Sequence, residues 1–300
     1  MITPPYLKKN DKIAIVATAR KITHEELLPS VRIFESWGLE VITGKNTFNE
    51  CHQFAGTDEE RREDFQNALD DPSVKAVFLA RGGYGNVRII DSIDFSGFLR
   101  NPKWIAGFSD VTVIHSHIHQ CLGVETLHST MPYSMHYFPN EKTSSNSLRK
   151  ALFGEDLIYS FQTDKLTVNG SAEGLLSGGN LSIIYSLTGS VSDIETDGKI
   201  LFIEDIDEYL YHIDRMMINL KRSGKLSRLS GLIVGNMTDM KDNEVKFGND
   251  AYGIIAEAVK EYNYPVWFGF PAGHSAVNLA LILGRKVLMN VSETATLRFL

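Results

Sequence analysis

The sequence predicts an α/β protein with two halves of unlike texture. Over about the first 135 residues, short apolar stretches typical of buried strands alternate with amphipathic stretches typical of helices. A polar, turn-rich stretch follows, and two adjacent strand-like stretches close the chain. Regular alternation of strands and helices indicates a parallel sheet, whereas a closing pair of neighbouring strands indicates a mixed one.

Each element of the first half has a local signal. An amphipathic segment ends at Gly38, a residue type common after a helix, and Pro29 marks either the start of this helix or a kink in it. Thr57 and Glu60 form a capping box that opens the next helix. We expect a doubly wound, flavodoxin-like parallel sheet domain over residues 1–138. Its predicted strands are residues 12–18, 39–42, 75–80, 104–107 and 124–127.

The second half is predicted to follow after a connection. Residues 139–165 are polar and irregular, which suits a connecting segment over the surface. Residues 166–300 are expected to form a C-terminal mixed α+β domain, with helices centred on Met216 and Ala256. Its predicted strands are residues 199–203, 231–235, 266–270, 286–289 and 295–299.

The composition excludes several classes of function. The 300 residues are 43% hydrophobic and carry a formal net charge of −7, which argues against a nucleic-acid binder. No apolar stretch approaches a membrane span, and the first residues do not resemble a secretory signal, so we expect a cytoplasmic protein with no membrane partner. Cys51 and Cys121 stand far apart, and neither a disulfide framework nor a zinc ribbon is indicated.

Ser109 lies where an apolar strand stops at Gly107 and a helix-like segment begins near Asp110. A serine on such a strand-to-helix turn projects its hydroxyl above the sheet, and N–H groups of the new helix face a developing oxyanion. The alternative is a helix N-cap, because serine is common there and the second glycine of Gly-x-Ser-x-Gly is missing. Ser109 is therefore a candidate nucleophile that needs partners from elsewhere in the chain.

A glycine-rich loop, residues 81–85, directly follows the strand that ends at Ala80. Its glycines let the backbone approach a ligand and point N–H groups at negative charge. The loop lacks the Gly-x-Gly-x-x-Gly dinucleotide fingerprint, and we expect no cofactor. A plain tight turn is the alternative.

Two further residues follow strand-like stretches and match what a serine nucleophile requires. Glu204 comes after an apolar strand, and His274 lies in a loop after another, between Gly273 and Ser275. Alone, each is more typical of a surface residue. The order serine, glutamate, histidine is nevertheless the chain order of hydrolase triads on wound sheets.

His115 and His119 offer a rival interpretation, because histidines four positions apart share one helix face and can bind a metal. No glutamate stands between them as in a zincin, and no third ligand is visible nearby. We expect no metal, and we place these histidines on the exposed side of the helix that follows Ser109.

Six short motifs, in order and spanning nearly the whole chain, resemble the LD-carboxypeptidase family of serine peptidases. They are residues 54–58, 81–85, 107–110, 178–182, 203–205 and 273–274. The resemblance implies an N-terminal wound sheet, a C-terminal domain of different topology, a homodimer, and a triad of Ser109, Glu204 and His274. The implied activity is release of terminal D-alanine from murein tetrapeptide or muropeptide during peptidoglycan recycling, through an acyl-enzyme.

Three further assignments rest on position. The backbone N–H groups of Asp110 and Gly83 are candidates for the oxyanion hole. Arg81, beside the glycine loop, is a candidate for binding the carboxylate of the leaving residue. Residues 128–131 read His-Ser-Thr-Met where the family pattern has His-Gly-Pro-Met, which weakens the substrate assignment and leaves the triad untouched.

Two alternatives stay open. The microcin C immunity hydrolases of the same family cleave an amide between an amino acid or peptide and a modified nucleotide. A two-domain small-molecule binding protein without catalysis is a further possibility. The sequence leaves open whether the diamino acid is diaminopimelate or lysine, and whether free tetrapeptide or intact muropeptide is preferred.

Overall fold

The computed structural model describes residues 1–139, 141–163 and 165–300, and Asn140 and Asp164 of the predicted connecting segment lie outside these residues. The strands are β1 (Lys12–Val16), β2 (Glu40–Thr43), β3 (Val74–Leu79), β4 (Trp104–Gly107), β5 (Thr126–His128), β6 (Ile158–Gln162), β7 (Gly170–Asn180), β8 (Ile200–Ile206), β9 (Gly231–Thr238), β10 (Val266–Phe268), β11 (Leu281–Leu283), β12 (Lys286–Val291) and β13 (Thr294–Phe299).

The α-helices are α1 (His24–Ser36), α2 (Asp58–Asp70), α3 (Asn86–Ile89), α4 (Ser96–Arg100), α5 (Thr112–His117), α6 (Pro132–Tyr137), α7 (Thr143–Phe153), α8 (Leu181–Leu187), α9 (Leu210–Arg222) and α10 (Ala251–Val259). Short 3₁₀ turns cover Ile90–Ser92 and Ser109–Val111, and a π-helical turn covers Ile118–Leu122. None of the helices in the described part of the chain combines the length and the apolar character needed to cross a membrane.

The first sheet confirms the predicted wound fold. Its strand order is β11-β5-β4-β3-β1-β2. The five strands from β2 to β5 run parallel in the flavodoxin-like order 2-1-3-4-5. Both faces of these strands are covered by helices, and β3 is accordingly apolar and buried along Ala76–Leu79. The carboxyl ends of β1, β3 and β4 therefore meet at one edge.

The capping box of Thr57 and Glu60 is present as predicted, and a second one, Thr23 with Glu26, opens α1. Because α1 begins at His24, Pro29 lies inside the helix, and of the two predicted alternatives the helix start is wrong. Gly38 follows the helix with φ +84°, the left-handed conformation that favours glycine at this position.

The predicted irregular connection is also wrong. Residues 143–153 form α7, and residues 158–162 form the edge strand β6. The serines of α7 obscured the signal, but three of them are buried, and two of these accept hydrogen bonds from the chain beyond His274. Ser144 Oγ accepts the N–H of Asn278 at 2.8 Å, and Ser147 Oγ accepts the N–H of Ala280 at 3.0 Å. Helix α7 therefore supports the chain just beyond His274.

The second sheet is mixed, as predicted, with strand order β10-β9-β8-β7-β12-β13-β6. Strands β7 to β10 are parallel, and β12, β13 and β6 add on antiparallel. Strand β7 was not predicted, because four glycines interrupt its apolar pattern.

The two halves share structure. Strand β11, from the C-terminal half, pairs antiparallel with β5 and completes the first sheet. One buried cluster runs from Ile13 and Phe78 in the first sheet to Phe202 and Phe270 in the second half. This continuity brings the carboxyl ends of β4 and β8 to one region of the molecule.

Candidate active site

Ser109 occupies a strained turn at the end of β4. Its φ is +64°, a left-handed value that is uncommon for a residue other than glycine and costs backbone energy. Gly107 makes the turn possible, because a Cβ there would lie 2.9 Å from Val111 Cγ2. Gly82 packs against the serine from the neighbouring loop, where a Cβ would lie 3.1 Å from Ser109 Oγ. The turn therefore leaves Ser109 partly exposed at the sheet edge.

Glu204 and His274 are hydrogen-bonded to each other. His274 Nδ1 lies 2.7 Å from Glu204 Oε2, and the carboxylate side chain is fully buried on β8. Gly273 permits this approach, with φ +117° and a position where a Cβ would lie 2.7 Å from Oε2 of Glu204. Asn278 Oδ1 accepts the Gly273 N–H at 2.9 Å and fixes the loop. The alternative interpretation of Glu204 as a solvated surface residue is therefore wrong.

The electrostatics of this pair favour an imidazolium beside a carboxylate. Burial works against the charge on His274, but the Glu204 charge and hydrogen bond outweigh it, and the pKa of His274 is raised. Burial also works against the charge on Glu204, but the His274 charge and hydrogen bond hold the pKa of that carboxyl below its usual range. Such a pair stabilises the proton that a histidine base has just accepted.

The turn that holds Ser109 contacts this pair, because the ring of the preceding residue, Phe108, packs against the imidazole of His274. The Phe108 ring centre is 4.8 Å from that of His274 and 5.7 Å from that of His128. Among the hydrogen bonds of the described residues, none joins Ser109 Oγ to His274. The structure thus brings Glu204 and His274 into contact and places the Ser109 turn against the same imidazole.

A bridge of hydrogen bonds connects the helix after Ser109 to the strand of Glu204. Thr112 Oγ1 accepts the N–H of Asn180 at 3.0 Å, and Asn180 Nδ2 donates to Asp205 Oδ1 at 2.9 Å. Asp205 Oδ2 also accepts the N–H of Ser182 at 2.8 Å. Burial and the charge of Glu204 raise the pKa of Asp205 to about 7. Sequence reasoning missed Thr112 and Asp205, and the adjacency of two acids, Glu204 and Asp205, within β8 was the available signal.

Asp110 connects the Ser109 turn to the glycine loop. Its buried Oδ2 accepts the N–H of Asn86 at 2.9 Å, just beyond Gly85. The first bond of the 3₁₀ turn runs from the Val111 N–H to Phe108 O at 3.2 Å, so the Asp110 N–H precedes the intrahelical bonds. Gly83, the other predicted oxyanion donor, lies in the loop with φ +112°.

Arg81 is already engaged within the protein. Its guanidinium carbon lies 3.8 Å from the ring centre of Tyr133. Nη1 donates to Lys21 O at 3.3 Å and lies 3.9 Å from Glu26 Oε1. The side chain stays about one quarter exposed, at 25%.

His115 and His119 are buried, so their predicted placement on an exposed helix face is wrong. His115 Nε2 lies 3.0 Å from Gly107 O, and His119 Nε2 lies 3.0 Å from Thr126 Oγ1. Burial lowers the pKa of each to about 3. Within the described ranges, no three His, Cys, Asp or Glu side chains are grouped to hold a metal, and Cys51 and Cys121 are free thiols.

A cavity of about 570 Å³ lies at the carboxyl end of β9. Met237, Met240, Asp250 and Tyr252 are among its lining residues, and Ser109, Glu204 and His274 are not. It is therefore separate from the Glu204–His274 pair.

Sequence comparison identifies relatives over the whole chain. The family pattern described as LD-carboxypeptidase N-terminal domain matches residues 13–129, and that described as LD-carboxypeptidase C-terminal domain matches residues 173–289. The probable murein peptide carboxypeptidase of Bacillus subtilis is 36% identical over 97% of this chain and 92% of its own length. The murein tetrapeptide carboxypeptidase of Pseudomonas aeruginosa is 28% identical over 93% of this chain and 92% of its own.

Solved structures give the same result for the fold. The muramoyltetrapeptide carboxypeptidase from Oxalobacter formigenes superposes with a TM-score of 0.87 at 26% identity, covering 96% of this chain and 98% of its own. The microcin C7 self-immunity protein MccF superposes with a TM-score of 0.88 at 22% identity, covering 99% of this chain and 98% of its own. At that identity the second likeness concerns the fold alone.

Proposed function

Because this chain belongs to the LD-carboxypeptidase family, we propose that it is a serine carboxypeptidase that releases terminal D-alanine from murein tetrapeptide. The observation that carries the proposal is the 2.7 Å contact between Glu204 and His274, beside a turn that holds Ser109 at φ +64°. A buried carboxylate, an imidazole and a strained serine at the carboxyl ends of strands are the components of a hydrolytic triad.

The proposed reaction has two steps. His274 Nε2 takes the proton of Ser109 Oγ as this oxygen attacks the scissile carbonyl, and Glu204 holds the imidazole through Nδ1. The proton then passes to the nitrogen of D-alanine, which leaves, and an acyl-enzyme remains. Water, deprotonated by His274, attacks the acyl-enzyme, and the proton returns to Ser109 Oγ.

We assign the oxyanion hole to the backbone N–H groups of Asp110 and Gly83. The Asp110 N–H precedes the first bond of its 3₁₀ turn, and the left-handed Gly83 follows Gly82, which packs on Ser109. Preorganised donors of this kind are worth about 3 kcal/mol of the barrier each.

Position in the sequence makes Arg81 a first candidate for binding the carboxylate of the leaving D-alanine. Its position directly after β3, beside the glycine loop, supports this role, and its contacts with Tyr133 and Glu26 compete with it. An unchanged KM for tetrapeptide in Arg81→Ala would remove Arg81 from the proposal.

Cleavage of an aminoacyl nucleotide amide is the second candidate. The departure at Ser129 and Thr130 from the family pattern lies in the loop after β5, near the Phe108 ring that contacts His128. That loop can reshape the pocket for another acyl or leaving group. The non-catalytic binding protein is the third, and retained binding with lost turnover in Ser109→Ala would exclude it.

A direct comparison of substrates tests the proposed activity. Purified protein is incubated with tetrapeptides containing diaminopimelate or lysine, with the corresponding muropeptide, and with an aminoacyl sulfamoyl adenylate. We expect D-alanine release from at least one murein substrate, with kcat/KM at least about 100-fold above that for the nucleotide amide. A preference for the nucleotide amide would contradict the proposed activity and support a hydrolase of the microcin C immunity type instead.

The proposal includes a cytoplasmic homodimer. Light scattering of the purified protein measures the assembly, and cell fractionation measures the location.

A further inference from the structure

Two arginines, Arg20 and Arg81, flank the glycine loop, and only one of them is engaged by other side chains. Arg81 stacks on Tyr133 at 3.8 Å and has Glu26 at 3.9 Å. Arg20 is exposed, and among the described residues no ion pair, ring contact or side-chain hydrogen bond involves its guanidinium. The charge of Arg20 is thus available to a ligand.

Arg20 is held in place by its backbone. It follows β1, and its N–H donates to Gly82 O at 3.3 Å. It also forms an isolated antiparallel bridge with Phe54. Because β1 is parallel to β3, which is parallel to β4, Arg20 lies at the same sheet edge as the glycine loop and Ser109. Its position is therefore fixed relative to the candidate nucleophile.

The Arg20 side chain lies directly on the glycine loop. A Cβ on Gly83 would lie 2.6 Å from both Cγ and Cδ of Arg20. On the preceding residue, a Cβ on Gly82 would lie 2.9 Å from Ser109 Cβ. Gly82 and Gly83 are adjacent in the chain, so neighbouring residues of the glycine loop lie against Ser109 and against Arg20. This arrangement suits a substrate that carries a charged group near the bond under attack.

We propose that Arg20 binds the free carboxylate of the substrate's terminal residue, in the place that sequence alone suggested for Arg81. A guanidinium presents a planar fork of N–H donors that matches a carboxylate in two parallel hydrogen bonds. In a carboxypeptidase this carboxylate belongs to the leaving residue, one residue from the scissile carbonyl. The inference rests on the proposed function and adds the group that restricts cleavage to the chain end.

The test compares murein tetrapeptide with the same peptide ending in D-alaninamide, which lacks the charge. In Arg20→Ala, we expect kcat/KM for the carboxylate form to fall about 10- to 100-fold, mostly through KM, since a hydrogen bond to a charged group is worth about 1.5–3 kcal/mol. For the amide form we expect less than about a threefold change. Arg20→Lys should recover part of the loss, because it keeps the charge without the fork.

Two variants serve as comparisons. Arg100→Ala removes an exposed charge from α4, ahead of β4 and so at the opposite edge of the sheet, and both substrates should keep the unaltered protein's rates. Under the assignment to Arg20, the guanidinium of Arg81 contacts Tyr133 and Glu26 and not the carboxylate, so Arg81→Ala should change kcat/KM for both substrates by the same factor. A selective loss for the carboxylate form in Arg81→Ala, or an equal loss for both forms in Arg20→Ala, would overturn the assignment to Arg20.

Binding measurements separate this inference from the proposed function. The Kd of each peptide is measured by calorimetry in Ser109→Ala, with and without Arg20→Ala. If Arg20→Ala weakens binding of the carboxylate peptide and not of the amide peptide, the proposed role of Arg20 is supported even when no D-alanine is released. In that case only the proposed activity fails. Unselective binding, or no binding of either peptide, contradicts the role of Arg20.

Discussion

Glu204 Oε2 lies 2.7 Å from His274 Nδ1, with the carboxylate side chain 0% exposed and the imidazole 15% exposed. The carboxylate is the buried partner, and the imidazole is the partner that reaches the surface. This arrangement directs Nε2 of His274 away from Glu204, and Phe108 holds the ring from one side. In the proposed mechanism, the imidazole of this pair accepts a proton from a group at the edge of the sheet.

Activity should therefore depend on the neutral form of His274. Because Glu204 raises the pKa of His274 above its usual value near 6.5, kcat/KM should rise as the pH increases through a midpoint above 6.5. Glu204→Gln removes the charge, so the midpoint should move to lower pH and kcat should fall by about 10³- to 10⁴-fold. Rates measured from pH 5 to 9 check both effects. An unchanged midpoint in Glu204→Gln would show that the charge of Glu204 does not set the pKa of the group that controls activity.

Acid should destabilise the protein through its buried histidines. Burial lowers the pKa of His115 and His119 to about 3 and that of His128 to about 4. These folded-state values lie below the unfolded value near 6.5, so the unfolded state binds protons first as the pH falls. Between pH 6.5 and 4, each histidine should lower the free energy of unfolding by about 1.4 kcal/mol per pH unit. For the three histidines together the slope should be about 4 kcal/mol per pH unit.

Urea unfolding at a series of pH values measures this slope. His119→Asn should reduce it by about one proton, whatever the variant does to the stability at neutral pH. His274 acts in the opposite direction, because its raised pKa stabilises the folded state at low pH and the benefit is lost as the pH rises through the folded value. A pH-independent free energy of unfolding between pH 6.5 and 4 would contradict the buried state of these histidines.

Gly82→Ala should damage catalysis without unfolding the protein. The new methyl group would lie 2.9 Å from Ser109 Cβ and 3.1 Å from Oγ, so the serine turn must shift by a few tenths of an ångström. A misplaced nucleophile typically costs about 10²-fold, so we expect kcat to fall by about that factor. Gly224→Ala, at a left-handed position with open space, should cost stability of about 1 kcal/mol and leave kcat unchanged. If Gly82→Ala and Gly224→Ala changed kcat by the same factor, the contact between Gly82 and Ser109 would have no specific effect on catalysis.

Thr112→Val should loosen the bridge between the two sheets. It removes the acceptor of the buried Asn180 N–H, which should cost about 1–3 kcal/mol of unfolding free energy. Because Asn180 also donates to Asp205 beside Glu204, kcat should fall more than KM rises. Thr112→Ser keeps the hydroxyl and should restore both. A loss of stability with kcat intact would limit the bridge to a structural role.

Local patterns in the sequence predicted the features that depend on local physics. The parallel strands of the first sheet were predicted because they are continuous apolar runs, and the box of Thr57 and Glu60 because its two partners are three residues apart. Strand β7 was not predicted because glycines interrupt its apolar pattern. Strand β11 was not predicted because three residues are too few to show a periodicity. Sequence order correctly placed His274 in a loop after a strand, whereas Glu204 lies inside β8 and does not follow it as predicted.

Burial and long-range contacts were not predictable in this way. His115 and His119 have polar side chains that suggest exposure, and the packing of α5 and of the π-helical turn after it buries them. The Thr112 to Asn180 hydrogen bond joins residues 68 apart in sequence, so no spacing rule points to it. The same holds for Arg20, whose contact with Gly83 depends on the order of β1 and β3 in the sheet.

The central claim is that Ser109 is the nucleophile of a carboxypeptidase. Its most direct test is the rate of D-alanine release from murein tetrapeptide by the unaltered protein and by Ser109→Ala, with folding of the variant checked by its thermal unfolding. We expect release by the unaltered protein and a loss of at least about 10⁴-fold in kcat for the variant. Release by folded Ser109→Ala at a rate within a few-fold of the unaltered protein would contradict the claim.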